Sequence, residues 1–468
     1  MIPLTLAGVA DAVSGTVAGT AASADDTSAD DTVVTGVCAD SRLVAPGDLF
    51  VAIPGERVDG HDYAAVAATA GARAVLGSRP SPSLPTVVVP DPVAALGELA
   101  RSVVASLPDL TVIAVTGSSG KTSTKDLLAM VANLRGPVVA PAGSMNTEVG
   151  LPVTALQCTP DTRTLVAEMG SRGPGHIEYL CHITPPDVAV VLNVGTAHLG
   201  EFGSREVIAA AKGEIVAALP AGGTAVLNAD DPLVAAMATR TPATVRSFGL
   251  SAKADMRISE LELDDLARPS FTLTFAGASA RVDLRSSGEH NAHNAAAAAL
   301  ACCASGVALA DVARALSDAE PASRWRMEVS TTAGGVTLVN DSYNANPDSM
   351  AAALKSLAEM GRRTSGRTFA VLGEMKELGA ESLTAHDEIG RLAVRLNINA
   401  LVVVGEGARP IHLGAAHEGS WNGESVWVAD IPAAVAELSS RLHPGDIVLV
   451  KASRSVGLEA VAEQVDTL

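Results

Sequence analysis

The chain has 468 residues and a mass of 47.2 kDa, which suffices for about three domains of roughly 150 residues each. Hydrophobic residues make up 48% of it and charged residues 18%, so the composition predicts a packed core and excludes wholesale disorder. Its 52 acidic residues outnumber 33 basic ones, and the formal charge of -19 argues against a nucleic-acid-binding protein. So acidic a chain must concentrate positive charge locally, or recruit metal ions, wherever it binds an anion.

The cysteines and the N-terminus bear on the cellular compartment. Five scattered cysteines without a C-x-x-C pair predict buried, reduced thiols instead of a disulfide framework or a zinc site. The N-terminal segment is apolar, but it lacks a basic region and Asp11 interrupts it, so it predicts an amphipathic helix rather than a signal peptide. No apolar stretch approaches the ~18 residues that span a bilayer. We therefore expect a cytoplasmic protein without a membrane span.

The first part of the chain, residues 1–108, predicts a small α/β domain. Short strand-like runs occupy 36–42 and 48–53, and a further strand covers 86–92. Between them, residues 64–77 have a helix-like composition. A helix over 93–107 stops before Pro108, which marks the expected domain boundary.

From Thr111 the pattern changes to regular strand–helix alternation. Buried-strand runs and helical runs alternate through the segments 111–117, 121–134, 164–169, 187–194, 204–219 and 224–230. Residues 256–285 show shorter alternating runs, which predict an antiparallel extension of the sheet. Ala-rich helices follow at 291–306 and 311–318. These features predict a second domain over 109–320.

A third alternating series follows Pro321. Its strands are predicted at 335–341, 368–373, 400–405 and 446–453, and its helices at 347–361, 384–396 and 431–442. Two successive series of this kind predict an α/β fold with two doubly wound, mainly parallel sheets. The third domain is expected to cover 321–468.

The clearest local motif is Thr116-Gly117-Ser118-Ser119-Gly120-Lys121-Thr122, between a strand and a helix. Glycines let backbone N–H groups turn into one concavity, and the helix N-terminus adds positive potential. Lys121 would supply a charge for the outer phosphates, and Thr122 a hydroxyl ligand for Mg²⁺. The usual P-loop has a glycine where this chain has Val115. The alternative interpretation is a Gly-Ser turn beside a surface lysine.

Three further residues are candidates for a metal site near this loop. Glu168 ends a predicted strand, His198 follows the next one, and Lys212 lies on the helix after that. Taken singly, each residue is more typical of a helix cap or a surface position. Lys212 is the least suitable, because an ammonium with an ordinary pKa of about 10.4 cannot bind a cation. Spacing alone predicts a solvated helix residue there.

The ordered set of motifs resembles the Mur ligase family over essentially the whole chain. Its members are DSRLVAPGDLFVAIPGERVDGHDY, TGSSGKTSTKD, MNTEVGLPVT, EMGSRGPGHI, NVGTAHLGEFGS, AKGEI, GEHNAHNAAAA, SRWRMEV, NDSYNANPDSM, LGEMKELG and VKASRSVGLE. The meso-diaminopimelate-adding branch has an Asp-Asn-Pro-Arg signature, which this sequence lacks. The segment from 372 to 390 and NDSYNANPDSM resemble the dipeptide-adding branch instead.

The resemblance implies three domains: a UDP-sugar-binding α/β domain, a central P-loop-type ATPase domain, and a C-terminal Rossmann-like domain that binds the dipeptide. It implies an ATP-dependent and Mg²⁺-dependent amide ligase of peptidoglycan precursor synthesis. ATP would phosphorylate the terminal carboxylate of UDP-N-acetylmuramoyl-tripeptide. The amine of D-alanyl-D-alanine would then attack the acyl phosphate through a tetrahedral intermediate. We expect this protein to act as a monomer.

The resemblance also assigns roles to individual residues. The expected catalytic residues are Lys121, Glu168, His198, Lys212 and Arg326. The expected ATP-binding residues are Thr116, Gly117, Ser118, Ser119, Gly120, Lys121, Thr122, Ser123, Asn291, Asn294, Arg326 and Asp341. The expected metal ligands are Thr122, Glu168, His198 and Lys212 if it is carbamylated, since a carbamate is an anionic oxygen donor. The expected substrate-binding residues are Ser41, Arg42, Asn146, Thr147, Asn344 and Asn346. Relatives often have Asn-Asn at the Asn146-Thr147 pair, so this contact departs from the pattern.

Other functions compete with this interpretation. One is a Mur-type ligase that adds a single amino acid, and another is folylpolyglutamate synthetase, which lacks a UDP-sugar domain. A nucleotide-driven switch protein would hydrolyse ATP without an added amine. A purely structural role for the phosphate loop would leave ATP binding intact in Lys121→Ala.

Overall fold

The computed structural model describes residues 1–19, 28–55, 57–195, 199–419 and 421–467. Within these ranges the strands form three large sheets, of five, nine and six strands, and a two-stranded ribbon. The α/β fold class with mainly parallel sheets is therefore confirmed. No helix in the described ranges is both long and apolar enough to cross a membrane. Four of the five cysteines are buried, Cys303 is half-buried, and all five are free thiols.

The first sheet has the strand order β2-β7-β6-β5-β4, and β2 alone is antiparallel to its neighbour. β1 and β3 form the ribbon. The elements are β1 Leu4–Thr5, α1 Leu6–Val13, β2 Thr16–Ala18, β3 Val33–Val34, β4 Gly36–Cys38, β5 Asp48–Val51, α2 Ala64–Ala70, β6 Ala74–Gly77, β7 Thr86–Val88 and α3 Pro92–Ala105.

The predicted helix-like stretch 64–77 is wrong in its second half. Helix α2 ends at Ala70, and the next residue, Gly71, has a φ of +107°, a left-handed conformation that glycine adopts without strain. The chain then enters β6, whose four residues are all buried. Ala and Val fill both elements, so hydrophobic periodicity did not separate them, whereas Gly71 was a usable stop signal.

The nine-stranded sheet has the order β16-β15-β14-β13-β12-β11-β8-β10-β9. β14, β15 and β16 pair antiparallel, which confirms the predicted extension. The elements are β8 Thr111–Thr116, α4 Lys121–Ala132, β9 Val138–Val139, α5 Gly150–Ala155, β10 Thr164–Glu168, α6 His176–Ile183, β11 Val188–Val191, α7 Leu199–Phe202, α8 Arg205–Lys212, α9 Glu214–Ala217, β12 Thr224–Asn228, α10 Pro232–Ala235, β13 Thr244–Gly249, β14 Met256–Leu263, β15 Pro269–Phe275, β16 Ala278–Asp283, α11 His290–Ala304 and α12 Leu309–Asp318.

The single helix predicted over 204–219 is divided into α8 and α9. The guanidinium of Arg240 lies at this break and donates to the carbonyl of Ala210 at 2.9 Å. A Cβ at Gly213 would lie only 2.1 Å from Arg240 Nη1, so the intrusion requires glycine. This break places Lys212 at the very end of α8.

The six-stranded sheet has the order β17-β18-β22-β19-β20-β21, with β17 antiparallel at its edge. Its elements are β17 Glu328–Thr331, β18 Thr337–Asn340, α13 Pro347–Thr364, β19 Thr368–Leu372, α14 Ser382–Arg395, β20 Ala400–Val404, α15 Arg409–His417, β21 Glu424–Val428, α16 Ile431–Ser439, β22 Ile447–Lys451 and α17 Glu459–Val465. Short 3₁₀ helices lie at Ala29–Asp31, Gly60–Tyr63, Asn133–Arg135, Ala236–Arg240, Gly379–Glu381, Glu406–Ala408 and Arg454–Val456. In this sheet β17, α15, β21 and α17 were not predicted from the sequence.

The packing and strand order of the nine-stranded sheet indicate at which edge a ligand would bind. Residues of β8 alternate between two cores, with Val112 and Ala114 on one face and Ile113 and Val115 on the other. On the second face α11 presents fully buried alanines, whose small side chains let it lie close to the sheet and to α4. β8 pairs with β10 on one side and with β11, the strand that follows β10 in the chain, on the other. The strand order therefore reverses at β8. Ligands bind at such a point of strand-order reversal in parallel sheets.

Candidate active site

A cavity of about 690 Å³ opens at the carboxyl ends of β8 and β10. Its walls include the phosphate loop, the start of α3, and the segment between β18 and α13. The cavity is thus bounded by residues from all three predicted domains. Most of the expected catalytic and nucleotide-binding residues line it, namely Ser118, Ser119, Gly120, Lys121, Thr122, Ser123, Glu168, Lys212, Asn291, Arg326 and Asp341.

The phosphate loop is held by Asn193, which follows β11. The backbone N–H groups of Ser118 and Ser119 both donate to Asn193 Oδ1, at 2.9 and 3.0 Å. These two N–H groups therefore do not point into the concavity, contrary to the expectation for this loop. The first N–H groups of α4, which lack intrahelical acceptors, remain as the backbone donors at its N-terminus. Asn193 was not among the predicted site residues, although it begins the motif NVGTAHLG.

Both glycines of the loop lie too close to neighbouring atoms to carry a side chain. A Cβ at Gly117 would lie 2.9 Å from Leu192 Cβ, and one at Gly120 would lie 2.6 Å from Asn294 Oδ1. Gly120 also has φ of +80°. Thr116 closes β8, and its hydroxyl donates to the carbonyl of Met169 at 2.9 Å. The loop is consequently wedged between β11 and α11.

Lys121 and Thr122 begin α4 at the centre of the cavity. Lys121 Nζ donates to the carbonyl of Gly117 at 2.8 Å. Burial lowers the pKa of Lys121, the Arg326 guanidinium acts in the same direction, and the Glu168 carboxylate opposes both. Positive charge is thus concentrated at this point of an otherwise acidic chain, which is the arrangement that an anionic ligand requires.

Glu168 is fully buried at the end of β10. Its Oε1 accepts hydrogen bonds from Asn146 Nδ2 at 2.8 Å, Ser144 Oγ at 3.0 Å and Thr122 Oγ1 at 3.3 Å. Its Oε2 is equally buried but has no hydrogen-bond partner among the described residues. An orphaned carboxylate oxygen beside a threonine hydroxyl fits a hard cation such as Mg²⁺, which takes one or two carboxylates plus substrate phosphates.

Lys212 is only 6% exposed, so the prediction of a solvated helix residue from spacing alone is wrong. Burial lowers the pKa of Lys212 well below its ordinary value, and the charge of Lys121 lowers it further. Among the groups that act on this pKa there is no carboxylate. An amine in such surroundings is easily kept neutral. The predicted metal candidate His198 lies outside the described residues, and within them no group of three His, Cys, Asp or Glu side chains could hold a metal.

Arg326 reaches the phosphate loop from the segment that precedes β17. Its Nη2 donates to Thr122 Oγ1 at 3.0 Å. Arg326 is the arginine that meets Thr122, whereas its neighbour Arg324 is placed 5.3 Å from the ring centroid of Trp325.

Asp341 is held by a buried lysine that sequence analysis did not single out. Lys451 Nζ lies 2.6 Å from Asp341 Oδ2 and donates to the carbonyl of Asn344 at 2.8 Å. Lys451 is 2% exposed, and burial lowers its pKa while Asp341 opposes that shift. His290 also lines the cavity, and burial lowers its pKa as well. The signal for Lys451 was its place in the motif VKASRS at the end of a predicted strand.

The two asparagines of α11 are connected to each other. Asn294 Nδ2 donates to Asn291 Oδ1 at 2.9 Å, and Asn291 Nδ2 donates to the carbonyl of Ser287 at 2.8 Å. Asn291 lines the cavity, whereas Asn294 is buried against Gly120. The pair therefore ties α11 to both the loop and the cavity wall.

The expected substrate residues fall into two groups. Asn146, Thr147, Asn344 and Asn346 all line the cavity. Asn146 orients Glu168, and Asn346 caps α13 while its Nδ2 donates to the carbonyl of Ser118 at 3.4 Å.

Ser41 and Arg42 do not line the cavity. Arg42 lies in the first sheet's β4–β5 connection, where its side chain is 84% exposed and its Nη2 is 2.6 Å from Asp40 Oδ2. Hydrogen bonds from Arg42 lower the pKa of Asp40 to about 2. The loop therefore presents a paired, accessible guanidinium away from the centre of the cavity.

Comparison with known proteins gives the same pattern along the chain. Three family models match: "Mur ligase family, catalytic domain" over 33–103, "Mur ligase middle domain" over 115–302, and "Mur ligase, glutamate ligase domain" over 325–454. The UDP-N-acetylmuramoyl-tripeptide–D-alanyl-D-alanine ligase of Mycobacterium tuberculosis H37Rv is 48% identical over 99% of this chain and 98% of its own. The enzyme of that name from Escherichia coli K12 is 35% identical, with 98% of each chain covered.

Solved structures agree in fold over the same length. MurF from Acinetobacter baumannii has a TM-score of 0.88 and 31% identity, with 99% of each chain covered. MurF ligase from Thermotoga maritima, solved in complex with ADP, has a TM-score of 0.79 and 32% identity, covering 92% of this chain and 97% of its own. Family models, relatives and structures thus match the chain from its first sheet to its last, and the chain belongs to the Mur ligase family.

Proposed function

We propose that this chain is an ATP-dependent amide ligase that joins D-alanyl-D-alanine to UDP-N-acetylmuramoyl-tripeptide. One observation carries the reaction class: Lys121, Glu168 and Arg326 meet in a single cavity whose walls come from all three parts of the chain. The relatives that match end to end, at up to 48% identity, carry that substrate pair in their names. ATP and Mg²⁺ are the cofactors of this reaction.

The proposed division of labour follows the three sheets. Residues 1–108 would bind the UDP-sugar, with Ser41 and Arg42 on the uridine side, and residues 109–320 would bind ATP. Residues 321–468 would bind the dipeptide and supply Arg326 and Asp341 to the nucleotide. Both a UDP-linked precursor and ATP are cytoplasmic compounds, so we place the protein in the cytoplasm. The cavity is lined by residues from all three parts of one chain, and we propose that the monomer is the active form.

In the first step a carboxylate oxygen of the tripeptide attacks the γ-phosphorus of ATP, and ADP leaves. Little covalent chemistry is needed from the protein, which must position the groups and neutralise charge. Lys121 and the N-terminus of α4 are placed to bind phosphate oxygens. Arg326, which donates to Thr122 Oγ1 at 3.0 Å, is placed to stabilise the transferred group.

The residues present fit a Mg²⁺ ion beside this step. Thr122 and the orphaned Oε2 of Glu168 would hold it, together with phosphate oxygens. His198 and carbamylated Lys212 are proposed for a second ion. Bound Mg²⁺ neutralises phosphate charge. Ser144 and Asn146 orient Glu168 by donating to its other oxygen.

In the second step the amine of D-alanyl-D-alanine attacks the carbonyl carbon of the acyl phosphate. A tetrahedral intermediate forms, the amine loses a proton, and phosphate leaves with an oxygen that came from the carboxylate. The carboxylate by itself is a poor electrophile, so phosphorylation supplies the leaving group. Asn146, Thr147, Asn344 and Asn346 line the cavity where the peptide ends would meet.

The acceptor is tested by measuring phosphate release from the purified protein with ATP, Mg²⁺ and UDP-N-acetylmuramoyl-tripeptide. Release should require D-alanyl-D-alanine and should fall to background when single amino acids replace it. Omission of the UDP-linked tripeptide should also stop release, which separates a ligase from a nucleotide switch. If single amino acids serve and the dipeptide does not, the proposed branch of the family is wrong.

A further inference from the structure

We propose that Tyr343 is a positioning residue that holds Arg326 in line with the transferred phosphoryl group. The inference rests on the proposed function, since Arg326 acts there on ATP. The guanidinium of Arg326 lies 4.1 Å from the ring centroid of Tyr343, within the range of a cation–π contact. The family resemblance implies no role for Tyr343, although it lies between Asp341 and Asn344.

The backbone is strained at the two residues on either side of Arg326. Trp325 and Met327, on either side, have φ of +60° and +51°, which are unfavourable for bulky residues. Met327 is buried, and its N–H donates to Asp341 Oδ1 at 3.1 Å. The guanidinium of Arg454 lies 4.4 Å from the ring centroid of Trp325. Asp341 and Arg454 thus contact the two residues that flank Arg326, and Arg326 itself contacts the phosphate loop.

The guanidinium itself has few polar contacts for so central a group. Its Nη2 donates to Thr122 Oγ1, while its Nε is buried without a hydrogen-bond partner within the described part of the chain. One hydrogen bond leaves the plane of a guanidinium able to rotate about that contact. The ring of Tyr343 is the flat surface that removes this freedom.

Tyr343 is suited to this task because its own position is fixed. Its N–H donates to the carbonyl of Trp325 at 3.2 Å, which ties the two segments together. On either side of it, Lys451 binds the Asp341 carboxylate and the Asn344 carbonyl. Ring and guanidinium are thus carried by one rigid unit of the third domain, and they reach the phosphate loop together.

The test compares three variants of the full-length protein. Tyr343→Phe keeps the ring, whereas Tyr343→Met and Tyr343→Leu keep apolar volume without it. We expect Tyr343→Phe to retain kcat within about twofold and the other two to lose about tenfold in kcat, in line with a desolvated cation–π contact. The Kd of a non-hydrolysable ATP analogue, measured by calorimetry, should change less than threefold in all of them. Melting temperatures are measured alongside, and Tyr343→Met carries the test if Tyr343→Leu does not fold.

A second readout does not depend on activity. Crystal structures of Tyr343→Phe and Tyr343→Met should show the Arg326–Thr122 hydrogen bond kept in the first and broken in the second. The proposal is overturned if Tyr343→Met leaves kcat unchanged or keeps that hydrogen bond. It is also overturned if analogue binding weakens as much as kcat, because Tyr343 would then be a nucleotide contact. Failure of the wild-type protein to ligate the dipeptide would instead refute the proposed function, and the crystal structures would still decide the role of Tyr343.

Discussion

We expect Lys212→Ala to lose ligase activity by about 10³-fold and short carboxylic acids to restore part of it. Lys212 is buried at the end of α8 beside the positive charge of Lys121, and burial lowers its pKa well below the ordinary value. A neutral amine is the form that adds CO₂, and the resulting carbamate is an anionic oxygen donor suited to a hard cation. Alanine removes that donor but leaves a space that acetate or propionate can enter. The loss is of the size found when one group that stabilises transition-state charge is removed.

The measurement is the initial rate of phosphate release as the acid concentration is raised from zero to about 100 mM. Concentrations on this order are needed because a small acid binds weakly in a small cavity. Lys355→Ala, on the exposed side of α13, is the matched control and should keep full activity without any response to acid. A ¹³C-bicarbonate NMR spectrum of the wild-type protein should show a carbamate resonance that is missing in Lys212→Ala. If none of the acids restores activity and the spectra of the two proteins are alike, Lys212 is not carbamylated.

Glu168→Gln should reduce kcat by about 10³-fold and raise the Mg²⁺ concentration needed for half-maximal activity at least tenfold. The glutamine amide oxygen can still accept from Ser144 and Asn146, so the local fold is kept. The amide nitrogen then replaces the orphaned Oε2, and a neutral NH₂ donor cannot bind a cation. Glu168→Gln thus removes the negative charge of the carboxylate and keeps the hydrogen bonds from Ser144 and Asn146.

The measurement is a Mg²⁺ titration of phosphate release at saturating ATP, with the melting temperature as a check on folding. Glu463→Gln, an exposed position on α17, serves as the control for loss of one negative charge. An unchanged Mg²⁺ requirement in Glu168→Gln would mean that this carboxylate does not bind the ion.

Sequence patterns predicted the sheets well because their strands are buried on both faces. β8, β10, β11, β19, β20 and β22 are continuous apolar runs bounded by polar or glycine residues, and each was found where predicted. β21 has the half-buried sequence ESVWV and no such run, and it was missed. The division of residues 64–77 was also missed, because alanine is equally at home in α2 and β6.

The site residues that could be predicted are those that lie in a recognisable local motif. Lys121, Thr122 and Glu168 come from local patterns, and the cavity brings them together as expected. Contacts between distant segments produce the other features of the site. These features are the burial of Lys212, the hydrogen bonds from the phosphate loop to Asn193, and the Lys451–Asp341 ion pair. Composition and spacing do not report such contacts. The net charge of -19 likewise said nothing about the local cluster of Lys121, Lys212 and Arg326.

The proposed reaction phosphorylates the tripeptide carboxylate itself, at the point where Lys121, Glu168 and Arg326 meet. It is tested most directly with UDP-N-acetylmuramoyl-tripeptide that carries ¹⁸O in its terminal carboxylate, followed by ³¹P NMR of the phosphate released with D-alanyl-D-alanine. Attack of the carboxylate on the γ-phosphorus predicts one ¹⁸O atom in each phosphate formed. Phosphate without ¹⁸O would mean that water attacks ATP, and would contradict the formation of an acyl phosphate.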